Sequence, residues 1–271
     1  MKNLFLLAFL LPFTFLHAGD NPPLGARTQG MAGCGAALPG DLWGVQNNQA
    51  GLAFIKNFQA GAFYESRFLV SGLGMKGFAA ALPTKAGVFG LGVSSLGLGN
   101  LYSENKAGLG FAKTFGPRFS AAVQIDYFYT HIGENYGNTS TACGEIGLMG
   151  EPVKNLKIGF HVFNVSRSKL GGGTDERLPT IMRLGALYSF SDRVLVSLET
   201  EKDIDYKPVV RGGIEYRPVE KFYLRAGAAS NPGLMSFGFG VVMNKFRLDI
   251  ASSFHSTLGF SPAVSLQYGL E

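Results

Sequence analysis

The sequence is poor in charge, cysteine and tryptophan. Only 16% of its 271 residues are Asp, Glu, Lys or Arg, and it contains two cysteines and one tryptophan. Two cysteines cannot build a disulfide-rich scaffold, and no Cys/His spacing resembles a zinc site. Because the basic residues are interleaved with acids, the net charge of +5 does not indicate nucleic-acid binding.

Long helical apolar runs are missing after the N-terminus. The uncharged run 86–103 is long enough to span a bilayer, but its glycines recur with the period of a strand. Mean hydropathy is nevertheless +0.15, and the chain contains 38 glycines and 23 phenylalanines. Apolar composition without membrane helices favours a transmembrane β-barrel.

The first 18 residues have the composition of a secretory leader. Lys2 precedes the apolar run 4–16, and His17-Ala18 comes just before Gly19. A charged start, an apolar stretch of this length and a small residue at the end are the parts of a cleavable signal peptide. We therefore predict a signal peptide over residues 1–18.

Residues 58–271 alternate apolar with small or polar residues in short runs separated by turn residues. This pattern predicts an all-β fold, a transmembrane antiparallel β-barrel of about 14 strands. The connections alternate in length: 115–118, 191–193, 218–221 and 244–245 are tight and suit the periplasmic side, whereas 132–140 and 166–179 are longer and suit the outside. A barrel of this length forms one domain.

The lumen face of the later strands follows from the period of two. Val210, Ile214 and Tyr216 alternate with Arg211 and Glu215, among other pairs. A charged side chain facing lipid at the bilayer midplane costs roughly 2–4 kcal/mol, so the charges must point inward. The predicted lumen-lining residues are Arg183, Glu199, Glu201, Arg211, Glu215, Arg217, Arg225, Arg247 and Asp249.

The early strands have a different composition. Residues 69–96 are rich in glycine and alanine on both faces, and Lys76 and Lys85 are their charged residues. Such a wall leaves room for a closely packed segment or an apolar ligand. We therefore expect the N-terminal segment to pack mainly against this side of the barrel.

Residues 19–57 form that segment, a predicted hatch inside the lumen. They are small or apolar, with breaks at Pro22, Pro23 and Pro39 and an Asp41 that is placed to cap a short helix. The segment cannot bury an apolar face by itself, so it needs the walls of the barrel.

The run 25–53, GARTQGMAGCGAALPGDLWGVQNNQAGLA, resembles the hatch of the FadL-like long-chain fatty acid transporter superfamily, and within it the PorV/PorQ-type barrels of Bacteroidetes. In those families a GARxxGMGGAG segment, an Asp-x-Trp turn and an Asn-Pro-Ala-Gly-Leu-Ala motif precede the first strand. Gln49 stands where that proline is usual, so a kink is less firmly imposed here. The resemblance implies a hatch and gate formed by Trp43, Asn47, Asn48, Gln49, Ala50 and Gly51, with Phe54 against the first strand.

Three functions remain open at this stage. The resemblance implies a conduit of the bacterial outer membrane for hydrophobic small molecules. The alternative is an accessory barrel of a type IX protein secretion complex, with secretion-system subunits as partners. The third is a structural barrel with a sealed lumen. In each case the surroundings are outer-membrane lipids and lipopolysaccharide, and no cofactor is expected.

The sequence gives little support to catalysis. Glu199 and Glu201 share one strand face, but the arginines of neighbouring strands favour an ion-pair network over acid–base chemistry. His131, His161 and His255 lie on separate predicted strands and form no metal-ligand spacing. The glycine run 171–173 lacks the Lys-Ser/Thr and the helix of a phosphate-binding loop and indicates a flexible turn. We therefore predict that the protein is not an enzyme.

The redox state of the two cysteines is also open. Cys34 lies in the predicted hatch and Cys143 in the barrel. An oxidising periplasm would permit a bridge between them, but nothing in the sequence fixes their distance. Both a disulfide and two free thiols are compatible with the sequence.

Overall fold

The computed structural model describes residues 21–98, 101–133, 137–170 and 177–270. The predicted signal peptide, residues 1–18, and the glycine run 171–173 lie outside the described residues. No helix in the described ranges is long and apolar enough to cross a membrane.

Fourteen antiparallel strands close into one barrel, which confirms the predicted fold class. Neighbours in the chain are neighbours in the sheet, and β1 closes the barrel by pairing with β14. The strands are β1 Gln59–Ser66, β2 Leu73–Pro83, β3 Val88–Leu98, β4 Tyr102–Thr114, β5 Phe119–Ile132, β6 Gly137–Val153, β7 Leu156–Phe163, β8 Ile181–Ser191, β9 Val194–Asp203, β10 Val209–Val219, β11 Phe222–Ala229, β12 Leu234–Met243, β13 Phe246–His255 and β14 Gly259–Tyr268.

The helices are short and lie near the N-terminus. Two α-helices of one turn each, α1 Ala26–Gln29 and α2 Gly44–Asn47, are followed by a 3₁₀ helix, Gln49–Phe54. A second 3₁₀ helix, Arg67–Leu69, lies between β1 and β2. Neither α-helix has a side-chain cap, and a single turn is weak alone, so both depend on the surrounding barrel.

The connections separate the barrel into two ends. Those at 84–87, 115–118, 154–155, 192–193, 220–221 and 244–245 are tight, and we call their side the turn end. The opposite side, the loop end, carries the longest connection, 164–180. This connection folds back on itself through a bridge between Lys169 and Arg177.

The predicted long loop 132–140 is wrong. β5 continues to Ile132, β6 begins at Gly137, and Thr130 pairs with Thr139 across the hairpin. The prediction ended one strand at His131 and began the next at Thr141, so it left the polar residues 137–140 in the loop. Threonine is a good strand former although it is polar, so the hairpin extends beyond the apolar part of the wall.

The outer face of the wall is apolar, and β5 shows the alternation with polar inward residues. Val123 and Ile125 are 60% and 71% exposed on the outer face, whereas Gln124 and Asp126 between them are 3% and 0% exposed. Adjacent residues of a strand point to opposite faces, so β5 has an apolar outer face and a polar inner face, the reverse of a strand in a water-soluble protein. This inversion is typical of barrels whose outer face contacts lipid.

Candidate functional site

The N-terminal segment lies inside the barrel and closely approaches inward glycines of both early and late strands. We call residues 21–57 the hatch. Trp43 is fully buried, and its ring packs edge-on against Phe63 of β1 with the centroids 5.7 Å apart. Val45 and Leu52 contact the inner face of β3 at Gly92 and Gly90. The hatch therefore obtains its apolar core from the barrel wall.

Asn47 connects the two halves of the hatch. Its Oδ1 accepts a hydrogen bond from the Leu24 backbone N–H at 3.0 Å, and its Nδ2 donates to Leu24 O at 2.9 Å. The same Nδ2 lies 3.2 Å from Thr28 Oγ1. The amide thus holds the chain before α1 against α2.

Asn48 joins the hatch to the wall. Its Nδ2 donates to Ala36 O at 2.6 Å and to Leu148 O on β6 at 3.1 Å. Its Oδ1 accepts from Ala50 N–H at 3.1 Å and caps the 3₁₀ helix. This approach requires glycine at position 147, because a Cβ there would lie 2.3 Å from Asn48 Oδ1.

Gln49, Ala50 and Gly51 continue this attachment in the 3₁₀ helix. Gln49 Nε2 donates to the carboxylate of Glu145 on β6 and to Val45 O at 3.3 Å. Ala50 O accepts from Ser120 Oγ of β5 at 2.9 Å. Gly51 O accepts from Gly40 N–H at 2.9 Å.

The position that departs from the proline motif is therefore regular and hydrogen-bonded. Gln49 is fully buried and begins a 3₁₀ helix. A buried, hydrogen-bonded 3₁₀ helix at this position closes the lumen in the conformation described. The gating role of residues 47–51 stays a prediction.

Four of the predicted lumen-lining residues form a cluster around the carboxylates of Glu199 and Glu201. Glu199 Oε2 accepts from the backbone N–H groups of Gly35 and Ala36 at 2.9 and 2.8 Å. Arg183 Nε lies 2.6 Å and Arg211 Nη2 lies 2.9 Å from the Glu201 carboxylate. One carboxylate of this pair thus holds the hatch, and the other holds the wall together.

Four more form a second cluster around Glu215. Its Oε2 lies 2.6 Å from Arg225 Nε. Arg225 and Arg247 both pair with Asp249, at 2.9 and 2.8 Å. These side chains lie on β10, β11 and β13, so the cluster crosslinks the later wall.

Arg27 of the hatch completes this cluster and was not predicted. Its guanidinium lies 2.7 Å from Glu215 Oε1 and 3.2 Å from Asp41 Oδ2. Burial opposes its charge, but these two carboxylates outweigh burial and raise the pKa of Arg27. The hatch is therefore attached to the late strands by charge as well as by packing.

Arg217 lies apart from both clusters. It faces the turn end, where it lines a cavity of about 600 Å³ with Lys221, Tyr223 and Lys245. The structure thus brings eight of the nine predicted lumen residues into two ion-pair clusters and leaves one at the mouth of the barrel.

A third buried charge cluster was missed by the sequence analysis. Lys106 Nζ lies 2.6 Å from Glu145 and 3.6 Å from Asp126, and His161 Nε2 lies 2.7 Å from Glu145. All four side chains are buried. The alternation of Gln124 and Asp126 with apolar neighbours in β5 was the signal that could have revealed it.

The expectation that the hatch packs mainly on the early strands is wrong. A Cβ on Gly159 of β7 would lie 1.9 Å from Ala36 O, and one on Gly213 of β10 would lie 2.5 Å from Met31 Cβ. Close backbone approach of this kind requires glycine. Inward glycines alternate with the charges on the late strands, so the hatch contacts both sides.

Both cysteines are buried free thiols. Burial and the neighbouring Glu199 raise the pKa of Cys34 to about 12. A thiol with such a pKa reacts slowly, because the thiolate is the nucleophile.

The hatch separates two cavities. One of about 370 Å³ opens at the loop end, with Pro22, Pro23 and Gly33 of the hatch on one side and Glu65 and Arg67 of the wall region on the other. The second is the cavity at the turn end. Among the residues that the structure describes, no group of three His, Cys, Asp or Glu side chains could hold a metal ion.

Comparisons with known proteins identify the fold. No protein-family model and no curated protein matches the chain. The solved structures that match include CymD, a monoaromatic hydrocarbon channel, with 15% identity, a TM-score of 0.70 and coverage of 94% of this chain and 99% of that one. The P. putida toluene transporter TodX matches with 13% identity, a TM-score of 0.73 and coverage of 93% and 100%. A Pseudomonas aeruginosa FadL homologue matches with 13% identity, a TM-score of 0.62 and coverage of 92% and 99%.

Proposed function

We propose that this protein is a barrel of the bacterial outer membrane that admits small hydrophobic molecules when its hatch moves. One observation carries the proposal: a closed barrel with an apolar outer face holds a separate N-terminal segment in its lumen, with a cavity on either side of that segment. The fold shared with hydrocarbon channels and a FadL homologue supports it. The similar structures CymD and TodX are a hydrocarbon channel and a toluene transporter, which favours the conduit over the secretion subunit.

The hatch is the gate in this proposal. Trp43, Val45 and Leu52 pack on the glycine-rich inner face of β2 and β3 without hydrogen bonds from their side chains to the wall. A hydrophobic molecule can replace contacts of this kind, since dispersion and burial of apolar surface are not directional. We infer that the permeant passes between this part of the hatch and the early strands.

A sealed structural barrel is the competing function, and the hydrogen-bonded Gln49 favours it. The conduit requires movement of the hatch for uptake, whereas the sealed barrel does not. A disulfide between hatch and wall decides between them, because it prevents movement without removing either part.

The structure offers a suitable pair. A Cβ placed on Gly92 lies 3.7 Å from Val45 Cβ, close to the mean Cβ separation of about 3.8 Å in disulfides. We would introduce Val45→Cys and Gly92→Cys in a background in which Cys34 and Cys143 are alanine. Mass spectrometry then gives the oxidised fraction.

Uptake is measured in bacteria with an intact lipopolysaccharide layer, with radiolabelled toluene and a fluorescent long-chain fatty acid as probes. We expect faster uptake than in cells without the protein, loss of that gain in the oxidised variant, and recovery on reduction. Equal uptake with and without the wild-type protein would establish the sealed barrel. Unchanged uptake after complete oxidation would show that this part of the hatch does not gate the path.

A further inference from the structure

The turn end carries a concentration of positive charge that the sequence does not reveal. Among the described residues, ten Lys and Arg side chains and three acids that are not buried lie at or beside its turns or just before β1. The acids are Glu151, Asp192 and Glu220. The cations are Lys56, Lys85, Lys113, Arg118, Lys154, Lys157, Arg193, Arg217, Lys221 and Lys245. These basic residues are interleaved with acids along the chain, and the folding of the hairpins brings them together at one end of the barrel.

Aromatic side chains form a band just inside this end of the barrel. Four pairs of rings lie there, with centroids 4.8–6.2 Å apart. The pairs are Phe89 with Phe111, Phe115 with Phe119, Tyr188 with Phe190, and Phe246 with Tyr268. Aromatic girdles mark the boundary between hydrocarbon and headgroups. The cations beyond them therefore lie at the depth of lipid phosphates.

The outer wall has a groove of about 370 Å³ at this boundary, on β5, β6 and β7. Phe119, Leu148, Ile158 and Phe160 give it apolar walls. Gly150 contributes no side chain, and the pairing of β6 with β7 is irregular from this residue to Val153. The groove is thus formed where the outward-facing Gly150 lies next to the irregular pairing of β6 with β7.

Charge at the edge of the groove is unbalanced. Arg118 lines it, and its backbone O accepts from Glu151 N–H at 2.8 Å, which fixes the residue there. Glu151 lines the groove too, but its carboxylate pairs with Lys157 Nζ at 2.7 Å. Lys154, exposed in the turn 154–155 that follows groove residues 150–152 in the chain, adds a second positive charge at this end.

We propose that this groove binds one anionic glycerophospholipid of the leaflet at the turn end. Its acyl chains lie on Phe119, Ile158 and Phe160, and its phosphate lies between Arg118 and Lys154. An apolar groove alone would accept any lipid, but two cations at phosphate depth select an anionic headgroup. The site rests on the membrane location proposed above, and it does not depend on which molecule the barrel admits.

Native mass spectrometry of the protein from nanodiscs with equal phosphatidylglycerol and phosphatidylcholine tests this site. We expect wild-type protein to retain phosphatidylglycerol at least fivefold over phosphatidylcholine. The double variant Arg118→Gln/Lys154→Gln should retain the two lipids equally. Gly150→Leu, which fills the groove where a Cβ would have 3.8 Å of clearance, should lose the bound lipid altogether.

The double variant Lys221→Gln/Lys245→Gln is the matched control, because it removes the same charge from the same end but away from the groove. It should keep the preference within twofold. Equal retention of both lipids by wild-type protein, or an equal loss in the control, would overturn the groove site and leave the proposed function intact. Failure of the protein to insert into nanodiscs would instead overturn the membrane location itself.

Discussion

Removal of the Glu199 carboxylate should release the hatch. One oxygen of Glu199 accepts the backbone N–H groups of Gly35 and Ala36 at 2.9 and 2.8 Å, and all three residues are buried. A buried donor left without its partner costs about 1–3 kcal/mol. Two such donors lower the free energy of opening by about 2 kcal/mol at the least, a factor of about 30 in the population of the open hatch.

Trypsin cleavage after Arg27 reports this opening. Arg27 lies in α1, where Thr28 on the far side of the scissile bond is buried, so the protease must wait for the hatch to open. Cleavage then follows the population of the open form when opening and closing are fast. The exposed Lys56 is changed to glutamine in all variants, so that trypsin does not first cut the hatch from the barrel.

Glu199→Ala should therefore be cleaved after Arg27 at least about 30 times faster than the parent protein. Glu201→Gln is the matched control, since Glu201 lies on the same strand face but its carboxylate pairs with Arg183 and Arg211 of the wall. We expect a change below threefold for this control. Equal rates for Glu199→Ala and the parent, or equal acceleration in both variants, would refute the role of Glu199 in holding the hatch.

Three further perturbations test other contacts. Gln49→Pro should fold, because Asn48 is already extended with φ −166° and ψ 108° and proline suits a first helical position. Loss of the hydrogen bond to Glu145 should speed trypsin cleavage after Arg27 about tenfold. Gly159→Val should lower the urea midpoint strongly, since its Cβ would meet Ala36 O at 1.9 Å, whereas Gly150→Ala, with 3.8 Å of clearance, should not. Cys34 should resist maleimide in folded protein at pH 8 and react after unfolding, and its contribution to stability should fall between pH 9 and about 12, where only the unfolded thiol ionises.

The barrel could be predicted from the sequence because its signals are local. Period-two alternation and turn residues recur within each hairpin, and they gave the number of strands that the structure shows. The charges of the late strands stand between apolar neighbours such as Val210 and Ile214, so their inward direction followed from the same period.

The attachment of the hatch could not be predicted, because it joins residues far apart in the chain. Gly35 and Glu199 are separated by 164 positions, and no short-range pattern relates them. In the sequence Gly159 indicates only a weak position in a strand. In the structure the glycine is required because the backbone of Ala36 packs directly against it. The cluster around Glu145 joins four strands, β4 to β7, so the alternation in β5 shows that Asp126 points inward but not which side chains it meets.

The two sides of the hatch should not move equally. The late side is held by Glu199 and by the pairing of Arg27 with Glu215, which an apolar molecule cannot replace. Against β3 the hatch is held by apolar contacts of Val45 and Leu52, which an apolar molecule can replace. The hydrogen bonds of the adjoining 3₁₀ helix run to β5 and β6 instead. A hydrophobic permeant should therefore loosen the hatch from the early strands while the late side serves as the pivot.

A second disulfide tests this asymmetry. A Cβ on Gly185 of β8 lies 3.4 Å from Ala37 Cβ, so Ala37→Cys/Gly185→Cys closes the late side as Val45→Cys/Gly92→Cys closes the early side. We expect the early bridge to abolish the uptake gain and the late bridge to leave more than half of it. Equal blockage by both bridges would mean that the hatch leaves the lumen as a whole. In that case the charged contacts of the late side, and not the apolar contacts of the early side, would set the barrier to opening.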